Sequence, residues 1–288
     1  MIKVTINNKE YGIPSKWKEV KKTKIFLALC RAMWRFETCR TKFEEFKMEI
    51  VAACIGVEIQ AVPLTKELGL NFYTLSGLLD FPYRLVTNGD GSQTAYISIS
   101  LGNNLLPIAG GVSGYRYKTS DVGIIDTDLT AKQYNEALAL INLQCSLIRD
   151  CQFDAAAEVL KTLSELLYPG NKCTEDEMLG IMYNARGIFE SIRQDASYDL
   201  IFRKPHSSAP SPVGSENGIF ALTKAGFGDV ETVSRMGVHS FLSAMVQQTV
   251  DSIHTLQGSG MKPSKVAEKL NLYTEQVLPF TTVQEEEI

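Results

Sequence analysis

Residues 130–202 read TAKQYNEALALINLQCSLIRDCQFDAAAEVLKTLSELLYPGNKCTEDEMLGIMYNARGIFESIRQDASYDLIF, and this stretch decides the fold. Thr130 and Gln133 stand three apart ahead of an apolar run. That is a capping-box spacing, in which each side chain satisfies an amide that the helix start would orphan. Tyr134, Leu138, Ile141, Cys145 and Ile148 follow at steps of four and three, which puts them on one side of a helix. Asp150 to Gln152 break the pattern. Phe153, Ala157, Leu160, Leu163 and Leu167 form a second stripe, closed by Tyr168-Pro169-Gly170. Proline withholds an amide hydrogen there, and glycine suits a turn. Thr174 and Glu177 repeat the capping spacing, and Met178, Ile181, Ala185, Ile188 and Ile192 repeat the stripe. Connections this short favour antiparallel neighbours, so the stretch predicts a small helical bundle with its stripes facing inward. Each buried Leu or Ile contributes roughly 1.5–3 kcal/mol, against at most about 1 kcal/mol for an exposed ion pair. The stripes therefore read as core, with a groove for a partner helix as the alternative.

On the C-terminal side, Arg203 to Gly218 is rich in Pro, Ser and Gly and reads as a mobile linker. Ile219 to Ala225 predicts a short helix, broken at Gly226-Phe227-Gly228. Val238, Phe241, Leu242, Met245, Val246, Val250, Ile253 and Leu256 define a long amphipathic helix ended by Gly258 and Gly260. Ser264 to Val277 predicts one last helix, and Glu285 to Glu287 an acidic, disordered tail.

On the N-terminal side, residues 2–13 read as a hairpin turning at Asn7-Asn8 and ended by Pro14. Ser15 to Glu19, with Trp17, open a helical run through Ile25, Leu29, Met33 and Phe36. Thr41 and Glu44 suggest a third capping box for a helix whose inner face is Phe43, Phe46, Ile50 and Cys54, with Gly56 as its stop. Pro63 and Gly69 interrupt residues 57–82, where a short helix fits near Tyr73 to Leu79. Strand character returns at Tyr83 to Val86, turns at Asn88-Gly89-Asp90-Gly91 and comes back through Tyr96, Ile97 and Ile99. Leu105 to Ile108 and Tyr115 to Tyr117 add one or two strands around Gly110-Gly111. The fold class is mainly α (α+β): a helical bundle with a small N-terminal β-hairpin and a central antiparallel β-hairpin or sheet. The expected segments are 1–56 (hairpin and basic helices), 57–128 (β-containing insertion), 129–202 (central bundle), 203–218 (linker) and 219–288, the last forming one compact unit with 129–202.

Composition and motifs narrow the chemistry. The chain has 288 residues and a net charge of −4, which argues against generic nucleic-acid binding. The charge is uneven: residues 1–50 hold 12 Lys and Arg against 6 Asp and Glu, a surplus of +6 that leaves −10 for the remainder. The six cysteines make no C-x-x-C pair, no secretory signal opens the sequence, and a reducing cytoplasm is expected. No apolar run approaches the roughly 18–20 residues that span a bilayer, so no membrane partner is expected. The histidines, His206, His239 and His254, form no zinc-spaced set. Ala109 to Gly114 lacks the Gly-Lys-Ser/Thr ending of a phosphate loop and the spacing of a nucleophile elbow, and reads as a turn. Asp121, Asp126 and Asp128 lack the glycine and closing glutamate of a calcium loop. No catalytic residue, metal or cofactor is predicted. Lys16, Lys18, Lys21, Lys22, Lys24, Arg31, Arg35 and Arg40, interleaved with Trp17 and Trp34, suit an acidic partner or a solvated face, with both tryptophans read as core.

Three features carry a resemblance: the opening hairpin followed by Ile13-Pro14-Ser15-Lys16-Trp17-Lys18-Glu19; Leu167-Tyr168-Pro169-Gly170 closing a central helix; and Phe220 to Ala225 with Phe227-Gly228-Asp229-Val230 ahead of the long amphipathic helix. In this order they resemble a group of proteins from phages and integrated elements of gut Bacteroidetes, associated with tail and virion assembly. The resemblance implies a non-enzymatic tail-assembly chaperone or adaptor that binds helical segments of tail proteins in the host cytoplasm. The alternatives are a self-assembling tail or connector subunit of the virion, and an enzyme whose site distant residues would build. Trp17, Lys21, Lys22, Phe241, Met245 and Ile253 are the expected partner-binding residues, and phage tail or other virion proteins the expected partners.

Overall fold

The computed structural model describes residues 1–6, 9–57, 66–99, 105–106, 117–119, 125–205 and 216–280. Within them the chain is mainly helical with small β-hairpins. The order is β1 (Ile2–Ile6), β2 (Lys9–Ile13), α1 (Thr23–Glu37), α2 (Phe43–Ile55), α3 (Lys66–Ser76), β3 (Tyr83–Thr87), β4 (Gln93–Ile97), β5 (Tyr117–Thr119), β6 (Ile125–Thr127) and α4 (Ala131–Arg149). It continues with α5 (Phe153–Leu167), α6 (Glu175–Arg193), α7 (Asp199–Phe202), α8 (Glu216–Lys224), α9 (Val230–Arg235), α10 (Val238–Gly258), α11 (Pro263–Leu270) and α12 (Thr274–Val277). The strands pair as three separate two-stranded sheets, β1–β2, β3–β4 and β5–β6. Two compact units result: Met1–Asp126 with Leu140–Ser191, and Thr127–Ala139 with Ile192–Ile288. Segment 1–56 thus belongs to the first unit, 219–288 to the second, and 129–202 is shared. The expected features at Asn7-Asn8, 107–116, Asp121, His206 and Glu285 to Glu287, and most of 203–218, lie outside the described residues.

In the first unit β1 and β2 pair antiparallel from Ile2↔Ile13 to Ile6↔Lys9. Phe26, Leu29, Cys30 and Met33 of α1 and Phe46, Ile50 and Val51 of α2 are buried, and Phe36 stacks on Phe46 at 4.5 Å. Gly56 ends α2 at φ 76, a conformation that costs glycine nothing. The capping box expected at Thr41 and Glu44 is displaced. Glu45 accepts from the Lys42 amide at 3.2 Å, and the Thr41 hydroxyl turns instead to Glu49 at 3.4 Å. The helix starts one residue later than the spacing implied, which moves the capping carboxylate from Glu44 to Glu45. At α6 the box is as read: Thr174 N–H donates to Glu177 Oε2 at 2.7 Å, and Glu177 N–H to Thr174 Oγ1 at 3.3 Å.

α6 departs from a one-sided stripe. Between Leu179 and Phe189 every residue but Arg186 is buried, so this helix is enclosed on most sides. Two of its polar side chains, Tyr183 and Arg186, meet Glu37 of α1. Arg186 Nη1 lies 2.8 Å from both carboxylate oxygens of Glu37, and the Tyr183 hydroxyl donates to Glu37 at 2.7 Å. Burial and the neighbouring Glu37 push the Tyr183 phenol well up.

In the second unit the Thr130 box forms as read, with Thr130 N–H to Gln133 Oε1 at 3.1 Å and Gln133 N–H to Thr130 Oγ1 at 3.2 Å. Backbone bonds tie the start of α4 to the start of α10: Ala131 N–H to Met236 O at 2.7 Å and Val238 N–H to Leu129 O at 2.8 Å. Leu200, Ile253, Val266, Ala267, Leu272 and Val277 form a core cluster, with Val250 and Phe280 packed against it. The single helix expected over 264–277 is instead two. Asn271 adopts φ 51 and closes α11, Leu272 turns into the core, and α12 restarts at Thr274. Asparagine tolerates this left-handed conformation better than most residues. α9, which periodicity did not reveal, is capped by Asp229 accepting from the Thr232 amide at 2.7 Å.

Candidate protein-interaction surface

The apolar groups that the first unit leaves uncovered lie mainly on α3 and the β3–β4 hairpin. α3 buries Phe72 and Ser76, and Leu79 just beyond its end is buried too. Leu70 and Tyr73, three apart and therefore neighbours on the helix surface, face outward at 65% and 54% exposure, and Leu78 is exposed just past the helix. On the hairpin, Leu85, Val86 and Tyr96 are exposed. Among the described residues twelve large apolar side chains are strongly exposed, and six fall between Leu70 and Tyr96. Scattered surface apolar residues are ordinary, and it is their concentration here that makes this region the candidate interaction surface.

The hairpin is held at its root and open beyond it. Tyr83 packs edge-on to Phe43 at 5.1 Å and lies 6.1 Å from Phe46. Trp17 Nε1 donates to Ser98 O at 2.9 Å, and its ring meets Phe81 edge-on at 5.2 Å. Lys47 Nζ lies 5.1 Å from the Phe43 ring centroid and 5.4 Å from that of Tyr73, so α2 bridges hairpin root and helix. The turn is fixed by Gly91 at φ 81 and by Asp90, which accepts from the Ser92 amide at 2.9 Å. The Ser92 hydroxyl and amide hold the Asp90 carboxyl below its usual range.

Leu85 and Val86 are adjacent, so they point to opposite faces, and both are exposed. The ladder runs from Tyr83↔Ile97 to Thr87↔Gln93 and is bracketed by Ser98 N–H to Pro82 O and Asn88 N–H to Ser92 O. Antiparallel alternation makes Arg84–Tyr96 and Val86–Thr94 the hydrogen-bonded pairs. Leu85, Thr87, Gln93 and Ala95 then aim their N–H and C=O groups away from the hairpin, and no third strand meets either edge among the described residues. Open edges of this kind accept an added strand.

The partner-binding residues expected from sequence are placed as follows. Lys21 and Lys22 are exposed just before α1. Trp17 is buried and acts by anchoring the hairpin root. Phe241, Met245 and Ile253 are buried in the second unit, where α10 turns its apolar face inward. The surface at 70–96 was missed because its helix lies in a stretch with no clear period. The strand character at Tyr83 to Val86 was the signal the sequence offered there.

Other chemistry is sparse. Among the described residues no group of three or more His, Cys, Asp or Glu side chains could hold a metal, and no helix is long and apolar enough to cross a membrane. The second unit carries an open cleft of about 420 Å³ with Asp251 and Lys269 on its lining and Phe227, Leu256 and Leu270 as its apolar part. The Tyr198 hydroxyl lies 2.9 Å from His239 Nδ1, and burial raises the Tyr198 phenol. The chain matches no protein-family model, no curated protein and no solved structure.

Proposed function

We propose that this chain is a non-enzymatic protein-binding component of phage tail assembly. It acts as a chaperone or adaptor that holds an apolar helical segment of a tail protein until that segment is built in. The observation carrying this reading is the uncovered apolar set on α3 and β3–β4, whereas Val238, Phe241, Leu242, Met245 and Ile253 of the long amphipathic α10 are buried. Covering such groups is worth about 25 cal/mol per Å², and a preformed helix face such as Leu70–Tyr73 can receive a partner helix. The tail context comes from the sequence resemblance, and with it a place in the host cytoplasm. Co-expression with the proteins of neighbouring tail genes, followed by pull-down, tests the reading. A stable complex is expected, weakened by Tyr73→Asp and by Leu85→Asp. Failure to capture any tail protein overturns it.

A second reading, a virion subunit that self-assembles, is favoured by the open edges of β3 and β4, which a second copy can extend. Light scattering separates the two. A monomer or small dimer fits the chaperone, and a ring fits the subunit.

A further inference from the structure

The lysines ahead of α1 and in its first turn form a second surface, independent of the first. From Tyr11 to Phe36 the sequence holds seven cationic residues and a single acid, Glu19. The two arginines are neutralised within the fold: Arg31 pairs with Asp176 at 3.4 Å and Arg35 with Glu49 at 3.3 Å. Four of the five lysines have no such ion-pair partner among the described residues. Lys16, Lys18, Lys22 and Lys24 are exposed, and none makes an ion pair among the described residues. Glu19, the one acid between them, accepts from the Ser15 amide at 2.9 Å and the Ser15 hydroxyl at 3.0 Å. The chain between them is anchored, because Trp17, Val20 and Phe26 are buried, so four ammonium groups are presented from a fixed backbone. No acidic residue lies in the first turn of α1 to offset them.

We propose that this lysine patch docks a carboxylate-rich segment of a protein partner. Charge complementarity selects an anion, and the surroundings select a polypeptide over a nucleic acid. Stacking of unpaired bases needs exposed aromatic faces, whereas Trp17 and Trp34 are both buried. A long polyanion would also be disfavoured by the chain's overall net charge of −4. A short acidic segment samples charge only within a screening length of about 10 Å.

The experiment measures fluorescence anisotropy of a labelled oligoglutamate peptide with the full chain, and of a labelled DNA duplex in parallel. The peptide is expected to bind, to weaken as salt rises from about 0.1 M to about 1 M, and to lose about tenfold in affinity when Lys16, Lys18, Lys22 and Lys24 are changed together to Gln. Changing Lys132, Lys161, Lys262 and Lys265 to Gln serves as the control and is expected to leave binding unchanged. Equal loss in both variants, no salt dependence, or tighter binding of the duplex than of the peptide overturns the proposal. A far-ultraviolet circular dichroism spectrum matching the unmodified chain shows that the variant is folded. Pull-down of tail proteins through α3 and the hairpin is a separate readout, so either surface can fail alone.

Discussion

α10 and the α3–hairpin region carry apolar side chains of the same kind and meet opposite fates. On α10, Val238, Phe241, Leu242, Met245 and Ile253 are all buried by the rest of their own unit. On α3 and β3–β4, Leu70, Tyr73, Leu85, Val86 and Tyr96 stay exposed. Periodicity states that a helix has a face to be covered, and it does not state what covers it. At the Ile253 end of α10 the cover comes from Leu200, Val266, Ala267, Leu272 and Val277. A partner-binding role assigned to Phe241, Met245 and Ile253 would therefore require that unit to open. The residues around Tyr73 and Leu85 need no such step.

The largest expected effect tests this contrast directly. Phe241→Ala empties a fully buried site and is expected to lower stability by about 3–5 kcal/mol, read by chemical denaturation. Leu85→Ser, on the exposed hairpin, is expected to stay within about 0.5 kcal/mol while weakening capture of a partner. Comparable losses from the two substitutions would erase the distinction. Next in size is Glu37→Ala, which strands Arg186 and the Tyr183 hydroxyl in the enclosed interior of α6. Breaking a buried pair costs about 3–5 kcal/mol, and the residual exposure of both partners places this one at the low end. Thiol reactivity sharpens the comparison without changing the fold. Burial pushes the Cys54 thiol up to about 12 and the Cys30 thiol well up, so both remain protonated and poorly nucleophilic at about pH 8. Iodoacetamide is expected to modify the exposed Cys39 and Cys151 and to spare Cys30 and Cys54 until the chain is unfolded, with mass spectrometry locating the label.

Local chemistry was legible in the sequence and long-range chemistry was not. The helices of 130–202, the stop at Gly56 and the turn at Asn88 to Gly91 depend on residues within a few positions of one another, and each is found where it was read. The Glu37–Arg186 pair spans 149 positions, and nothing in either neighbourhood announces it. The exposure of Leu70, Tyr73 and Leu85 is equally non-local, since it depends on what the rest of the chain fails to cover. Asn271 is an intermediate case: a left-handed asparagine after Leu270 is a recognised helix end, but the apolar residues on either side of it hid the break.

The smallest effect separates true caps from apparent ones. Thr130 and Thr174 both exchange bonds with the residue three ahead, Gln133 and Glu177. Replacing either threonine by Ala is expected to cost about 1 kcal/mol. At α2 the same spacing points to Thr41 and Glu44, but Glu45 receives the Lys42 amide and Glu44 pairs with Lys47. Glu45→Ala should therefore destabilise by more than Glu44→Ala, which removes an ion pair whose carboxylate is open to solvent and which is worth about 1 kcal/mol or less. The reverse order in denaturation would mean that α2 begins a residue earlier in solution, at the position its sequence first suggested.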